Sequence, residues 1–153
     1  MRLRPAAIRA MGRSHRAVYR LTGGRLLGRV AGMPVLLLST TGRRSGRART
    51  TPLTYFEAGD DLAVVASNGG EDRPPSWWLN LQHDPRASIT IGRLSEPVTA
   101  RAASGEERAR LWPTITTAYP GYAAYARRTS RSIPVVLLTR AGGSRTKENA
   151  PNR

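Results

Sequence analysis

A chain of 153 residues with a formal net charge of +15 and no cysteine has the length of one domain and lacks both a disulfide framework and a thiol nucleophile. His15 and His83 are its two histidines and no H-x-x-x-H pair exists, which argues against a zinc site, so no metal is expected. Its longest apolar run, "MPVLLL", is too short for a membrane span or a signal-peptide core.

The first 31 residues combine a basic helix with a glycine-rich linker. Ile8, Met11 and Val18 fall near one side of a helix over 5–20, and Arg9, Arg13, Arg16 and Arg20 follow at helical spacing on another. "TGGRLLGRVAG" then breaks the pattern. The first acidic residue is Glu57, and twelve arginines precede it. A GC-rich coding sequence accounts for a preference for arginine, but not for this placement. Such a stretch cannot neutralise itself and attracts an anion: nucleic acid, lipid headgroups or a polyanionic small molecule. The helix either packs on the domain with a solvated arginine face or lies on an anionic membrane surface.

Residues 32–140 read as one mainly β (α+β) domain. "PVLLLST" is a buried strand and "RTTPLTYFE" a second, with Pro52 placing it at an edge or bulge. "DLAVVAS" is the third. "SWWLNLQH" is a short helix, opened by Pro74-Pro75 and closed before Asp84-Pro85. "ASITIGR" and "EPVTARAA" form a further pair of strands. Ser104 to Glu107 is an S-x-x-E capping box that opens the helix "GEERARLWPTITTA", with a kink expected at Pro113. "PGYAAYARRT" is a helical turn or two, and "IPVVLLTR" is the sixth strand. The tail, 141–153, has no apolar content and is expected to be disordered. Six short strands joined mostly by tight turns predict an antiparallel sheet curled into a small barrel. There is no G-x-G-x-x-G, and "GRRSGR" is not a P-loop.

Three stretches carry candidate chemistry. "TTGRRSGRARTTPL" sets Arg43, Arg44, Arg47 and Arg49 between two strands, with Ser45, Thr50 and Thr51 as hydroxyl donors. A hairpin turn does not need guanidiniums, but an anion with several negative groups does. "VASNGG" ends a strand in Ser67-Asn68 and runs into two glycines, leaving room for a planar ring against the backbone. Trp77 and Trp78 follow on the short helix with an amide at Asn80, the tryptophans either as core residues covering the barrel or with one facing a pocket. "AYPGYAAY" concentrates Tyr119, Tyr122 and Tyr125, as packing against the sheet or as the wall of a site for a planar substrate. No carboxylate pair and no Ser/His/Asp set is placed for hydrolysis. An anion cradle, a ring shelf and an aromatic wall suit a bound cofactor that brings its own chemistry.

At these places together the sequence resembles the deazaflavin-dependent nitroreductase family, reductases that use coenzyme F420. The matching segments are "TTGRRSGRARTTPL", "VVASNGG", "SWWLNLQHDP", "GEERARLWP", "AYPGYAAY" and "RTSRSIPVV", in the family's order. The resemblance implies a six-stranded antiparallel split β-barrel of the FMN-binding kind with flanking helices. It implies that Arg43, Arg44, Ser45, Arg49 and Thr50 bind the phosphate and oligoglutamate tail of F420. Ala66, Ser67, Asn68 and Gly69 would hold the deazaflavin ring, with Trp77 beside it. Tyr55, Tyr119, Tyr122 and Tyr125 would border the substrate, and Ser67, a tyrosine or water would supply a proton. The implied reaction is hydride transfer from reduced F420 to an electron-poor acceptor such as a quinone or nitro compound. Arg44 and Asn68 stand where the family often has lysine, and Ser130 where aspartate is common, which bears on the acceptor more than on the cofactor. An FMN oxidase on the same barrel and a basic nucleic-acid-binding barrel are the alternatives. Against the latter, the aromatics do not interleave with the arginines. The expected state is a monomer or weak homodimer in the cytoplasm, at the inner face of the membrane if the basic helix docks there.

Overall fold

The computed structural model describes residues 29–30 and 32–142. The basic helix expected at 5–20 and the tail from 143 onward lie outside the described residues, as does most of the linker.

Strand β1 (Arg29–Val30) is a two-residue pairing on β2 (Met33–Thr41). The remaining strands are β3 (Ala48–Thr54), β4 (Phe56–Ala58), β5 (Asp61–Val65), β6 (Arg86–Ile91), β7 (Leu94–Ala102) and β8 (Val135–Arg140). The helices are α1 (Ser76–His83), α2 (Gly105–Ala118) and α3 (Gly121–Arg128), and a 3-10 turn covers Asn68–Gly70. Every strand pairing is antiparallel, in the order β1-β2-β6-β7-β8-β5-β4, with β3 on the other side of β2.

The strand expected over 49–57 is divided at Tyr55. Before it, β3 pairs with β2, Pro52 opposite Leu37. After it, β4 pairs with β5, Phe56 opposite Ala63. The Tyr55 N–H donates to the Pro34 carbonyl at 3.1 Å. One bent strand therefore joins the two ends of the sheet and curls it into a split barrel. Counted as one, β3 and β4 complete a ring of six. Pro52 lies in a strand with a single ladder partner, where a missing N–H is tolerated.

Alternation decides what lies inside. Leu36 and Leu38 of β2, Leu62 and Val64 of β5, Ile89, Val136 and Leu138 fill the barrel, and α1 closes it with Trp77, Trp78 and Leu81. The intervening Ala63, Val65, Val135 and Leu137 face outward against Ile115 of α2 and Tyr122 of α3. Both faces of β5 and β8 are thus buried, which is why those strands read as continuous apolar runs. Each fully buried leucine or valine contributes about 1.5–3 kcal/mol. Helix α2 opens with the expected capping box: Glu107 N–H donates to Ser104 Oγ at 3.2 Å and Ser104 N–H to Glu107 Oε1 at 2.9 Å. It continues as one element of 14 residues through Pro113.

Candidate active site

The turn between β2 and β3 is held from within and from below. Gly42 N–H donates to the Arg47 carbonyl and Gly46 N–H to the Gly42 carbonyl, both at 2.8 Å. A Cβ at position 42 would meet Ser45 Oγ at 2.7 Å and the Arg47 carbonyl at 3.2 Å, so a larger residue would displace the Ser45 side chain and press on the turn. Ser45 Oγ accepts from the Arg47 N–H at 3.2 Å and from Arg49 Nη2 at 3.5 Å. From below, buried Asn80 of α1 accepts from both the Arg43 N–H (3.2 Å) and Arg43 Nη1 (3.0 Å) through one Oδ1. Its Nδ2 donates to buried Thr40 Oγ1 at 3.1 Å.

This turn forms one wall of a cleft of about 480 Å³. Arg43, Arg44 and Arg49 line it from the turn, and Arg73, Ser76 and Trp77 line it from the opposite loop and α1. Among the described residues, no carboxylate lines the cleft. Among the described residues, no ion pair joins any of its arginines to an acid. Arg44, Arg49 and Arg73 are exposed and Arg43 is half-buried. The field in the cleft is one of unneutralised positive charge.

Next to it lies the shelf. Ala66 and Ser67 are buried at the end of β5, while Asn68 and Gly69 are exposed. Asn68 takes a left-handed conformation (φ 47°), which asparagine tolerates better than most residues. Its Nδ2 donates to the Arg73 carbonyl at 2.8 Å, joining shelf to cleft. Behind the shelf, a Cβ on Gly70 would fall 2.7 Å from the Tyr125 carbonyl. Glycine there lets α3 pack directly on the shelf. Ser67 Oγ makes no hydrogen bond among the described residues.

The tyrosines form a separate cluster outside the barrel. Ring centroids lie 5.0 Å apart for Tyr119–Tyr122, 6.0 Å for Tyr122–Tyr125 and 6.5 Å for Tyr119–Tyr125, all edge to face. Tyr122 is buried and its hydroxyl pairs with Thr54 Oγ1 at 2.6 Å. Burial pushes its phenol above the ordinary value. Tyr125 is half-buried, and a hydrogen bond with Tyr119 followed by burial raises its phenol too. Tyr55 packs against the barrel interior rather than lining the cleft.

Of the expected cofactor-binding residues, Arg43, Arg44, Ser45, Arg49, Thr50 and Trp77 line one cleft, and 66–69 adjoin it. Trp77 and Trp78 are core residues, and Trp77 also borders the cleft. Arg73 and Arg131 were not foreseen beside the site, and Asn80 was expected as an amide next to the tryptophans but not as the support of the arginine turn. A signal for Asn80 existed: an asparagine three residues after Trp77 shares its buried helix face.

A family model described as F420H(2)-dependent quinone reductase matches residues 11–140. The chain belongs to that family. An F420H(2)-dependent quinone reductase of Mycobacterium tuberculosis (strain ATCC 25618 / H37Rv) is 44% identical over 132 residues, 84% of this chain and 89% of its own. Among solved structures, the F420-H2 dependent reductase FDR-A is 42% identical with a TM-score of 0.62, over 69% of this chain and 93% of that one. A protein solved as a domain-swapped dimer is 36% identical with a TM-score of 0.64, over 88% and 99%. The F420H(2)-dependent quinone reductases are enzymes, and this one uses reduced F420 as hydride donor to a quinone acceptor. The expected alternatives, an FMN oxidase and a nucleic-acid-binding barrel, give way to this assignment. The residues present fit the cofactor. A cleft bordered by four guanidiniums and, among the described residues, by no carboxylate matches a multiply anionic chain, and the glycine-containing shelf beside it leaves backbone open to a planar ring.

Proposed function

We propose that Arg43, Arg44, Arg49 and Arg73, with the hydroxyls of Ser45 and Thr50, hold the phosphate and acidic tail of reduced F420. On this reading Ala66, Ser67, Asn68 and Gly69 seat the ring, Trp77 flanks it, and the acceptor enters on the side of α3. The observation that carries it is the continuity of an unneutralised arginine cleft with a shelf whose serine hydroxyl is unengaged. When bound, the reduced cofactor supplies a hydride. The protein's task is to orient the acceptor and stabilise negative charge appearing on its oxygen. Ser67 Oγ is free to donate to that oxygen. Tyr122 Oη is already engaged with Thr54, and Tyr119 and Tyr125 are the half-buried hydroxyls of the wall. A nitro group presents the same kind of oxygen and is a second acceptor class for this site.

The test is single-turnover oxidation of bound, reduced F420 by menadione, with cofactor affinity measured separately. Ser67→Ala is expected to slow hydride transfer by about ten- to a thousandfold, the range for removing one oxyanion donor, with little change in affinity. A wild-type rate would remove Ser67 from the acceptor site.

We also infer peripheral binding to anionic membrane through residues 1–30, on the strength of the acid-free run of arginines, where each basic group near anionic lipid contributes about 1 kcal/mol. Equal co-sedimentation of the full chain and a 1–30 deletion with anionic vesicles would refute it. No helix among the described residues is long and apolar enough to cross a membrane. The domain-swapped relative supports self-association into a homodimer, which sedimentation velocity measures.

A further inference from the structure

The ladder between β5 and β8 ends in an unusual way. Val65 faces Val135 in the last regular pairing. One step further, the Ala66 N–H donates to the Pro134 carbonyl at 3.0 Å. In an antiparallel pair of this type the partner returns a bond from its own N–H. Proline has none. The Ala66 carbonyl, on a fully buried residue, would be left without a donor at the point where the strand becomes the shelf.

Arg131, three residues before that proline, fills the gap. Its Nη1 and Nη2 both donate to the Ala66 carbonyl at 3.2 Å. The same Nη2 donates to the Ser67 carbonyl at 2.8 Å and Nε to the Glu71 carbonyl at 2.8 Å. One half-buried guanidinium thus gathers three carbonyls of the shelf loop. No carboxylate pairs with it among the described residues. The rest of its segment is tied to the same loop, with Thr129 Oγ1 donating to Asp72 Oδ1 at 2.7 Å. A planar fork with fixed donor directions can do this, whereas an ammonium cannot reproduce its geometry.

We propose that Arg131 is the positioning residue of the hydride-transfer site: besides replacing the backbone donor that Pro134 lacks, it ties the Ser67 and Glu71 carbonyls, which an N–H at position 134 would not, and so holds Ala66, Ser67 and the shelf loop in register with α3. It acts through the backbone of the shelf and not by contact with the anionic tail, because it does not line the arginine cleft. The inference rests on the reading that the shelf seats the ring.

Full-length Arg131→Gln, Arg131→Lys, Pro134→Ala and the double variant Arg131→Gln/Pro134→Ala provide the test. Four readouts apply: F420 affinity by fluorescence, single-turnover hydride transfer to menadione, thermal midpoint, and amide exchange in the cofactor-free protein. Arg131→Gln is expected to lower the transfer rate about ten- to a hundredfold, as misplacement of reacting groups does, with affinity changed less than about threefold because the cleft arginines are intact. Gly70 and Glu71 amides, which donate to the Ser67 and Asn68 carbonyls, should exchange faster. Arg131→Lys should not restore the rate. Restoring a backbone N–H with Pro134→Ala should recover the thermal midpoint of Arg131→Gln but not its rate. If it recovers both, or if the rate falls only with the folded fraction, Arg131 is a structural tie alone and the proposal fails. If Ser67→Ala and Arg131→Gln both transfer hydride normally, the shelf reading itself has failed. Loss in Ser67→Ala with a normal Arg131→Gln overturns only the positioning role.

Discussion

The arginine turn and the tyrosine wall both crowd hydrogen-bond donors near the shelf, and they treat them in opposite ways. On the turn, backbone and Asn80 are used to hold the loop still, while the guanidiniums of Arg44 and Arg49 stay exposed and unneutralised. On the wall, the rings pack on one another and the buried hydroxyl of Tyr122 is satisfied by Thr54. An unpaired charge in water can transfer its interaction to an arriving anion. A buried hydroxyl that already has a partner contributes to folding, and breaking its bond costs stability. The turn should therefore govern affinity for the cofactor, and Tyr122 should govern stability.

The largest effect is expected on the turn. Arg43→Ala and Arg49→Ala should each weaken F420 binding by about ten- to a hundredfold, the worth of a charge-assisted contact. The loss at Arg49 should shrink for a coenzyme lacking its glutamate tail. Fluorescence titration with long- and short-tailed cofactor checks this, and equal losses with both would contradict tail binding.

The wall provides the next contrast. Tyr122→Phe leaves the half-buried Thr54 hydroxyl without its partner and should cost about 1–2 kcal/mol in chemical denaturation. Affinity should be unchanged. Tyr125→Phe should change stability less and turnover more, because Tyr125 is half-buried and packed beside the shelf. If Tyr122→Phe were as stable as wild type but slow in turnover, the division between the regions would be wrong.

The smallest effect lies in neither region. Hydrogen bonds from Arg101 and then from the Ser104 backbone hold the Glu107 carboxyl down at about 2, from an ordinary 4.5. A depressed carboxyl stabilises the fold above its unfolded value and loses that contribution as pH falls. The α2 cap should weaken between about pH 4.5 and 2. Glu107→Gln should flatten the pH dependence of the thermal midpoint over that range while leaving F420 affinity alone. An unchanged slope would show that the cap does not matter to folding.

Local chemistry made much of this protein readable in advance. The bounds of α1 follow from the prolines on either side of "SWWLNLQH", and the start of α2 from its capping box. The arginines of the turn suggested an anion site because a turn has no need of them, and three of the four, Arg43, Arg44 and Arg49, line the cleft. The division of the second strand at Tyr55 was not readable, because no local signal separates Thr54 from Phe56. Only the competition between β2 and β5 for the same segment creates it. The partners of Asn80 and Arg131 were not readable for a related reason. Each side chain satisfies backbone groups that are distant in sequence, 37 residues away for Asn80 and 65 for Arg131 at Ala66.

What the amino-acid sequence determined by itself was the set of elements and the sign of the charge, since periodicity, caps and the placement of acids are local properties. What the tertiary structure decided was which donors remain available. Burial engaged Tyr122 with Thr54. A proline without an N–H drew Arg131 under the shelf. The guanidiniums of the turn stayed unneutralised because, among the described residues, no acid pairs with them. A charge or hydroxyl acts on a ligand through the hydrogen-bonding capacity the fold has left it, and that depends on neighbours that sequence order does not bring together.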